Sequence, residues 1–265
     1  MYSGKDIIAT QQHILWVTLD TLRYDVAQEL FLACKLPYFS RFLPSTGREK
    51  RHTPVSFTFA AHQAFFAGFL PTPAQHPKQA RLFAADFQGS VTTNAGTFVF
   101  QEDNIVAGLQ QQGYHTICIG GVGFFNKRTA LGKVLPSYFQ ESHWEEAMGV
   151  TAKDSTQQQF TNAIHYLERL PEQQKVFLFI NISAIHQPNY FYLPAAKQDN
   201  LQTHAAALQY VDSQLPILMD FLVQKGSFFC IFCADHGTAY GEDGYIGHRL
   251  AHPSVWEIPY VEFMI

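Results

Sequence analysis

The chain has 265 residues, 47% of them apolar, with 18 Lys and Arg against 22 Asp and Glu, a formal charge of −4. This length suits one large α/β domain or two small ones, and the simplest reading is one domain over residues 1–265. The weak negative balance excludes wholesale nucleic-acid binding, and no apolar run approaches the roughly 20 residues of a membrane span. The start MYSGKDIIATQQ lacks the basic-then-apolar order of a secretory signal. Cys34, Cys118, Cys230 and Cys233 read as thiols of a reducing compartment, so a cytoplasmic protein is expected.

His13 to Leu19 (HILWVTL) predicts a strand, with Asp20 at its carboxyl end. Val26 to Cys34 is helix-compatible, and Arg48 to Arg51 reads as a charged loop. Phe59 to Ala67 is alanine-rich and unbroken, and Gly68 stands where a helix C-cap glycine belongs. Thr58 then falls at or near the N-cap, beside free N–H groups and the positive end of the helix dipole, where anions bind and a hydroxyl loses its proton more readily. Pro71 to Pro77 reads as a loop, and Arg81 to Phe100 as irregular. Asn104 to Gln112 predicts a helix, Tyr114 to Gly120 a buried strand, and Gly121 to Ser142 a long loop. Gln157 to Leu170 is a helix on the spacing of Phe160, Ala163, Ile164, Leu167 and Leu170. Lys175 to Ile182 is a strong strand followed by His186, and Leu201 to Gln224 a long helix that Pro216 should kink and Gly226 end.

Phe228 to Cys233 is an apolar run too short for a helix and suited to a buried strand; its CxxC reads as core filling. It stops at Ala234-Asp235-His236-Gly237, and the loop beyond carries Gly241, Gly244, Gly247 and His248. Pro259 to Ile265 is a last strand. Strands alternating with helices indicate a mostly parallel sheet covered on both faces, a three-layer α/β/α sandwich.

Asp20, His186 and Asp235-His236 therefore end three strands at one sheet edge, where open α/β sheets bind ligands. Two carboxylates and one imidazole are a ligand set for zinc or manganese that leaves positions open for reaction. A metal beside Thr58 would lower the hydroxyl's pKa and make it a nucleophile. His186 and His248 would hold anionic oxygens or protonate a leaving group. Each residue has a plainer reading beside this one. Asp20 could cap the next helix, and Thr58 could be an ordinary cap. Ser56 is a competing hydroxyl. His62 reads equally as a substrate contact or a bonded core residue, and His252 as support for the site or a simple turn. Arg23 and Arg249 read as structural partners of carboxylates, and Glu242 and Asp243 as solvent-facing.

The same residues resemble sulfatase-like hydrolases of the alkaline phosphatase superfamily. Val17-Thr18-Leu19-Asp20-Thr21-Leu22-Arg23 is similar to the family's opening strand, whose Asp binds metal. Thr58-Phe59-Ala60-Ala61-His62, with Gly68 and Phe69-Leu70 after it, occupies the nucleophile segment. Tyr210-Val211-Asp212, Ala234-Asp235-His236-Gly237, Gly247-His248 and Glu257-Ile258-Pro259 follow the later family pattern. The segment lacks the modified Cys or Ser and the Arg four residues on, so the formylglycine of true sulfatases cannot be made. A Thr nucleophile is closer to phosphoethanolamine and lipoteichoic-type phosphotransferases. Two-metal members carry a further Asp near the position of His186; Ser183, Ala184 and Ile185 stand there instead, so one metal is expected. The resemblance implies an alkaline phosphatase-like fold. It also implies one divalent ion, zinc first and manganese, magnesium or calcium after it, held by Asp20, Thr58, Asp235 and His236. Thr58, His186 and His248 would be catalytic, and His62 and His252 would bind substrate. The substrate would be a small anionic ester, a phosphate ester or diester. The alternatives are a sulfuric ester hydrolase without formylglycine and a non-catalytic anion-binding protein.

Overall fold

Successive side chains of a strand face opposite sides, and the long apolar runs of this chain are apolar on both, so each must be covered twice. A computed structural model describes residues 2–44, 47–68 and 104–265, and the backbone of 83–84 and 98–99. The expectations for Phe69-Leu70, for 71–77 and for most of 81–100 lie outside the described residues. The central sheet runs in the order β2 (Glu49–His52), β11 (Glu257–Met264), β8 (Phe228–Cys233), β1 (His13–Leu19), β7 (Val176–Ile182), β5 (His115–Ile119), β6 (Glu141–His143). β11 pairs antiparallel with β8 and β2; the other pairs are parallel. β3 (Phe83–Ala84) pairs with β4 (Phe98–Val99), and β9 (Ala239–Tyr240) with β10 (Ile246–Gly247).

Leu15, Val17 and Leu19 of β1 share a core with Leu178, Ile180 and Ile182 of β7 and Phe232 of β8. α2 (Tyr24–Leu32), α6 (Ser155–Glu168) and α7 (Leu201–Lys225) cover it through Val26, Phe160, Leu208 and Leu215. The intervening residues, Ile14, Phe177, Phe179 and Phe229, face a second core. α1 (Gly4–Ala9), α3 (Thr58–Ala67), α4 (Ile105–Gln111) and α5 (Ala130–Val134) close it with Ile7, Phe66, Val106 and Val134. α8 (Pro253–Trp256) leads into β11. The result is the expected three-layer α/β/α sandwich around a mostly parallel sheet.

Register positions the site. Thr18 of β1 pairs with Asn181 of β7 and with Cys233 of β8. Asp20 and Asp235, each two residues further on, therefore leave neighbouring strands at the same level.

Two local expectations are corrected. The charged segment Glu49–His52 is a strand, because β11 offers it a ladder partner whose pairing overrides composition. Residues 121–142 hold α5 and two short 3-10 turns rather than one open loop. The long helix α7 is as expected, running through Pro216 to Lys225 with Gly226 at its C-cap.

Candidate metal centre

β1, β7 and β8 deliver the side chains, and α3 faces them. Asp20, Asp235 and His236 are fully buried. One oxygen from each carboxylate and one His236 ring nitrogen lie within 4.8 Å of one another, the only such grouping among the described residues. Thr58 is the first residue of α3, with Phe57 at the N-cap, so it lies one position inside the place expected for it. Its Oγ1 is 3.2 Å from His236 Nε2.

Each carboxylate is held on one side and without a hydrogen bond on the other. Asp20 Oδ2 accepts from Asn181 Nδ2 at 3.1 Å, whereas Asp20 Oδ1 has no hydrogen-bond partner. Asp235 Oδ1 accepts the amides of Thr21 (3.2 Å) and His236 (2.9 Å), whereas Asp235 Oδ2 has none. His236 Nδ1 lies 2.8 Å from Gly237 O, which can only accept, so the hydrogen sits on Nδ1 and Nε2 presents its lone pair. Two buried, unpartnered carboxylate oxygens are costly unless something positive meets them. With the lone pair of His236 Nε2, which otherwise meets only the Thr58 hydroxyl, they form a borderline-hard donor set that fits a divalent cation.

Electrostatics agree. Burial, then the neighbouring Asp235 carboxylate, raises the Asp20 carboxyl well above its ordinary value, against the Asn181 hydrogen bond. Burial also works against ionisation of Asp235. It is outweighed by His236 and His62 beside it and by the amides of Thr21 and His236, which hold Asp235 below its ordinary range.

The other expected residues divide. The His248 ring centroid is 4.6 Å from that of His236 and 6.1 Å from that of His186, so three imidazoles cluster beside the carboxylates. Burial, with His236 and His186, lowers His248 to about 4. His62 offers no face to a ligand. It is 0% exposed, Nδ1 lies 2.7 Å from Thr58 O, and Nε2 lies 3.0 Å from Thr18 Oγ1. His252 caps α8, its Nδ1 accepting from Ser254 N at 3.2 Å, and lines a separate cavity of about 190 Å³ with Arg23, Asp25 and Glu257. Arg23 is a structural partner, paired with Asp25 and Glu242, so Glu242 does not simply face solvent. Ser183 is buried against Met148 O, and Ala184 and Ile185 are apolar, so these three positions bring no carboxylate to His186.

Asn181 and Thr18 were not singled out from the sequence. The available signal was one amide inside the apolar run KVFLFINI, where a buried polar side chain must find partners.

The family profile described as Sulfatase matches residues 80–264. The chain belongs to the sulfatase family. No curated protein matches it in sequence. Among solved structures, this sulfatase-family chain resembles the C-terminal periplasmic domain of phosphoethanolamine transferase EptC from Campylobacter jejuni, at TM-score 0.65 and 13% identity over 96% of this chain and 79% of that one. The corresponding EptC domain from Escherichia coli, in complex with Zn, matches at TM-score 0.62 and 12% identity, over 95% and 72%. An alkaline phosphatase superfamily protein from Vibrio parahaemolyticus matches at TM-score 0.60 and 18% identity, over 95% and 60%. These likenesses give the chain the alkaline phosphatase-like fold. They also correct the cytoplasmic expectation: two of these structures are periplasmic domains, so free cysteines do not assign a compartment to this fold. No helix among the described residues is long and apolar enough to cross a membrane.

Proposed function

We propose that the chain is a metal-dependent hydrolase or transferase of phosphate esters or phosphodiesters, with Thr58 as nucleophile and Asp20, Asp235, His236 and the Thr58 oxygen as metal ligands. The observation that carries this reading is the pair of unpartnered, buried carboxylate oxygens grouped with His236, whose Nε2 adjoins the Thr58 hydroxyl. Zinc suits the mixed oxygen and nitrogen set, and the E. coli EptC domain was solved with Zn. A bound divalent ion would supply the charge that lowers the hydroxyl's pKa and offsets the negative charge of the ester.

Thr58 stands in the first turn of α3, so its backbone and the helix dipole favour negative charge at the same place. Thr58 Oγ1, its proton released to solvent, attacks phosphorus in line; the Thr58 O–P bond forms as the bond to the leaving oxygen breaks. His248, and His186 once it is protonated at Nε2, donate N–H bonds to the anionic oxygens; the Nδ1–H of His186 is already donated to Gln187 O. Both are held below their ordinary pKa by burial first, so in the free protein they are neutral at pH 7. An anion bound against them raises their proton affinity, and the leaving oxygen takes its proton there. Water, or an acceptor alcohol, then releases the phosphothreonine. A threonine cannot become formylglycine, so phosphoryl rather than sulfuryl transfer is the favoured chemistry.

Zinc-loaded protein should hydrolyse an aryl phosphate monoester or diester faster than the matching sulfate ester. Thr58→Ala should lose turnover while retaining its zinc, and acid-quenched wild type should carry one phosphoryl group on Thr58. Full activity in Thr58→Ala would refute the nucleophile. Zinc binding without turnover of any ester would leave an anion-binding protein.

A further inference from the structure

We propose that Asn181, Thr18 and His62 form a hydrogen-bonded strap that fixes helix α3, and with it Thr58, in register with the Asp20 carboxylate; the inference rests on the metal-site reading above. Four contacts define it. Asn181 Nδ2 lies 3.1 Å from Asp20 Oδ2 and 3.2 Å from Thr18 Oγ1. Thr18 Oγ1 lies 3.0 Å from His62 Nε2, and His62 Nδ1 lies 2.7 Å from Thr58 O.

The hydrogens can be placed in one way that satisfies every group. Val122 N donates to Asn181 Oδ1 at 3.0 Å, which sets the amide orientation. The two Asn181 N–H bonds then go to Asp20 and Thr18, the Thr18 hydroxyl donates to bare His62 Nε2, and His62 Nδ1–H donates to the Thr58 carbonyl. These contacts place the His62 hydrogen on Nδ1 and leave Nε2 to accept from Thr18. Asp20 is left with Oδ1 as its single free oxygen.

The strap is rigid. Thr18, Asn181 and His62 are all 0% exposed. The His62 ring stands edge-on to Phe125 and Phe179 at 5.1 and 5.6 Å. Gly121 lets the Val122 amide approach, since a Cβ there would lie 2.1 Å from Asn181 O. His62 is thus a positioning residue that acts through the backbone of Thr58, and Thr18 and Asn181 act through it and Asp20.

Thr18→Val removes the hydroxyl at nearly constant shape. Zinc affinity, read by competition with a chelating dye, should fall about tenfold to a hundredfold, in the range that outer partners of metal ligands command. In histidine-labelled protein the His62 Nε2 resonance should move downfield as it loses its donor. Thr18→Ser should restore both. Should Thr18→Val fail to fold, Thr18→Ala removes the same hydroxyl without adding an atom and carries the same expectation. Unchanged zinc affinity and an unchanged His62 resonance in a folded variant would overturn the strap. If wild-type protein took up no zinc, the metal reading would fall, whereas the dependence of the His62 resonance on Thr18 would still decide the strap.

Discussion

Asp20→Asn should make the metal-free protein more stable, although it removes a proposed ligand. Asp20 and Asp235 present oxygens within 4.8 Å of each other in a fully buried site. Two unit charges at that separation, with an effective dielectric of about 20, repel by roughly 3 kcal/mol. An asparagine can keep the bond from Asn181 through its carbonyl and turn its amide toward Asp235 Oδ2, which has no partner in the wild type. Urea unfolding at pH 8 in the presence of a chelator should show a gain of about 2–3 kcal/mol for the variant. The pH dependence has a definite sign. The Asp20 carboxyl is raised in the fold, so its penalty is absent below the unfolded value of 3.8 and accumulates as pH rises toward the folded value. The gap between variant and wild type should therefore narrow as pH falls. With zinc present the order should reverse, because only the wild type gains from the metal. A chelated variant less stable than chelated wild type at pH 8 would show that the two carboxylates do not repel, and the argument for a cation between them would fail.

Zinc at about a thousand times its Kd should raise wild-type unfolding free energy by about 4 kcal/mol, measurable as a thermal shift, and Asp20→Asn should show almost none of it. His13 accepts the Val176 amide at 3.2 Å through Nδ1 and stacks on Phe228; burial, with Lys175 and Lys225, lowers it from 6.5 to about 4. Its unfolded form takes up a proton first, so stability should fall as pH drops from 6.5 to about 4, by at most roughly 3 kcal/mol at about 1.4 kcal/mol per pH unit. His13→Gln, which can still accept the amide, should flatten that part of the pH–stability curve. Gly121→Ala should cost about 1–3 kcal/mol in denaturant unfolding and weaken zinc binding, because its Cβ would collide with Asn181 O.

The grouping of Asp20, Asp235 and His236 was legible because an apolar run announces where a strand stops, and these residues follow such stops directly. Thr58 was legible for a related reason: Gly68, at φ 76° where glycine is favoured, fixes the end of α3 and so the distance back to its first turn. The burial of His62 was not legible, since TFAAHQAFFA is apolar on every side and no period tells which face meets the sheet. Asn181 was hidden inside its run, because an amide partnered across strands looks in one dimension like an interruption. β2 was hidden because its place depends on β11, more than 200 residues later in the chain.

Among the described residues, the sheet's outermost strands are poor templates for polymerisation. β2 presents Glu49, Lys50, Arg51 and His52, and β6 is three residues long with Glu141 engaged by His115 and His143. Another molecule extending the ladder at β2 would have to bring its own backbone against a row of charges, and at β6 it would find too short a rail to hold. The Phe- and Ile-rich strands, which in isolation would be prone to fibril formation, lie in the interior of the sheet, between paired neighbours.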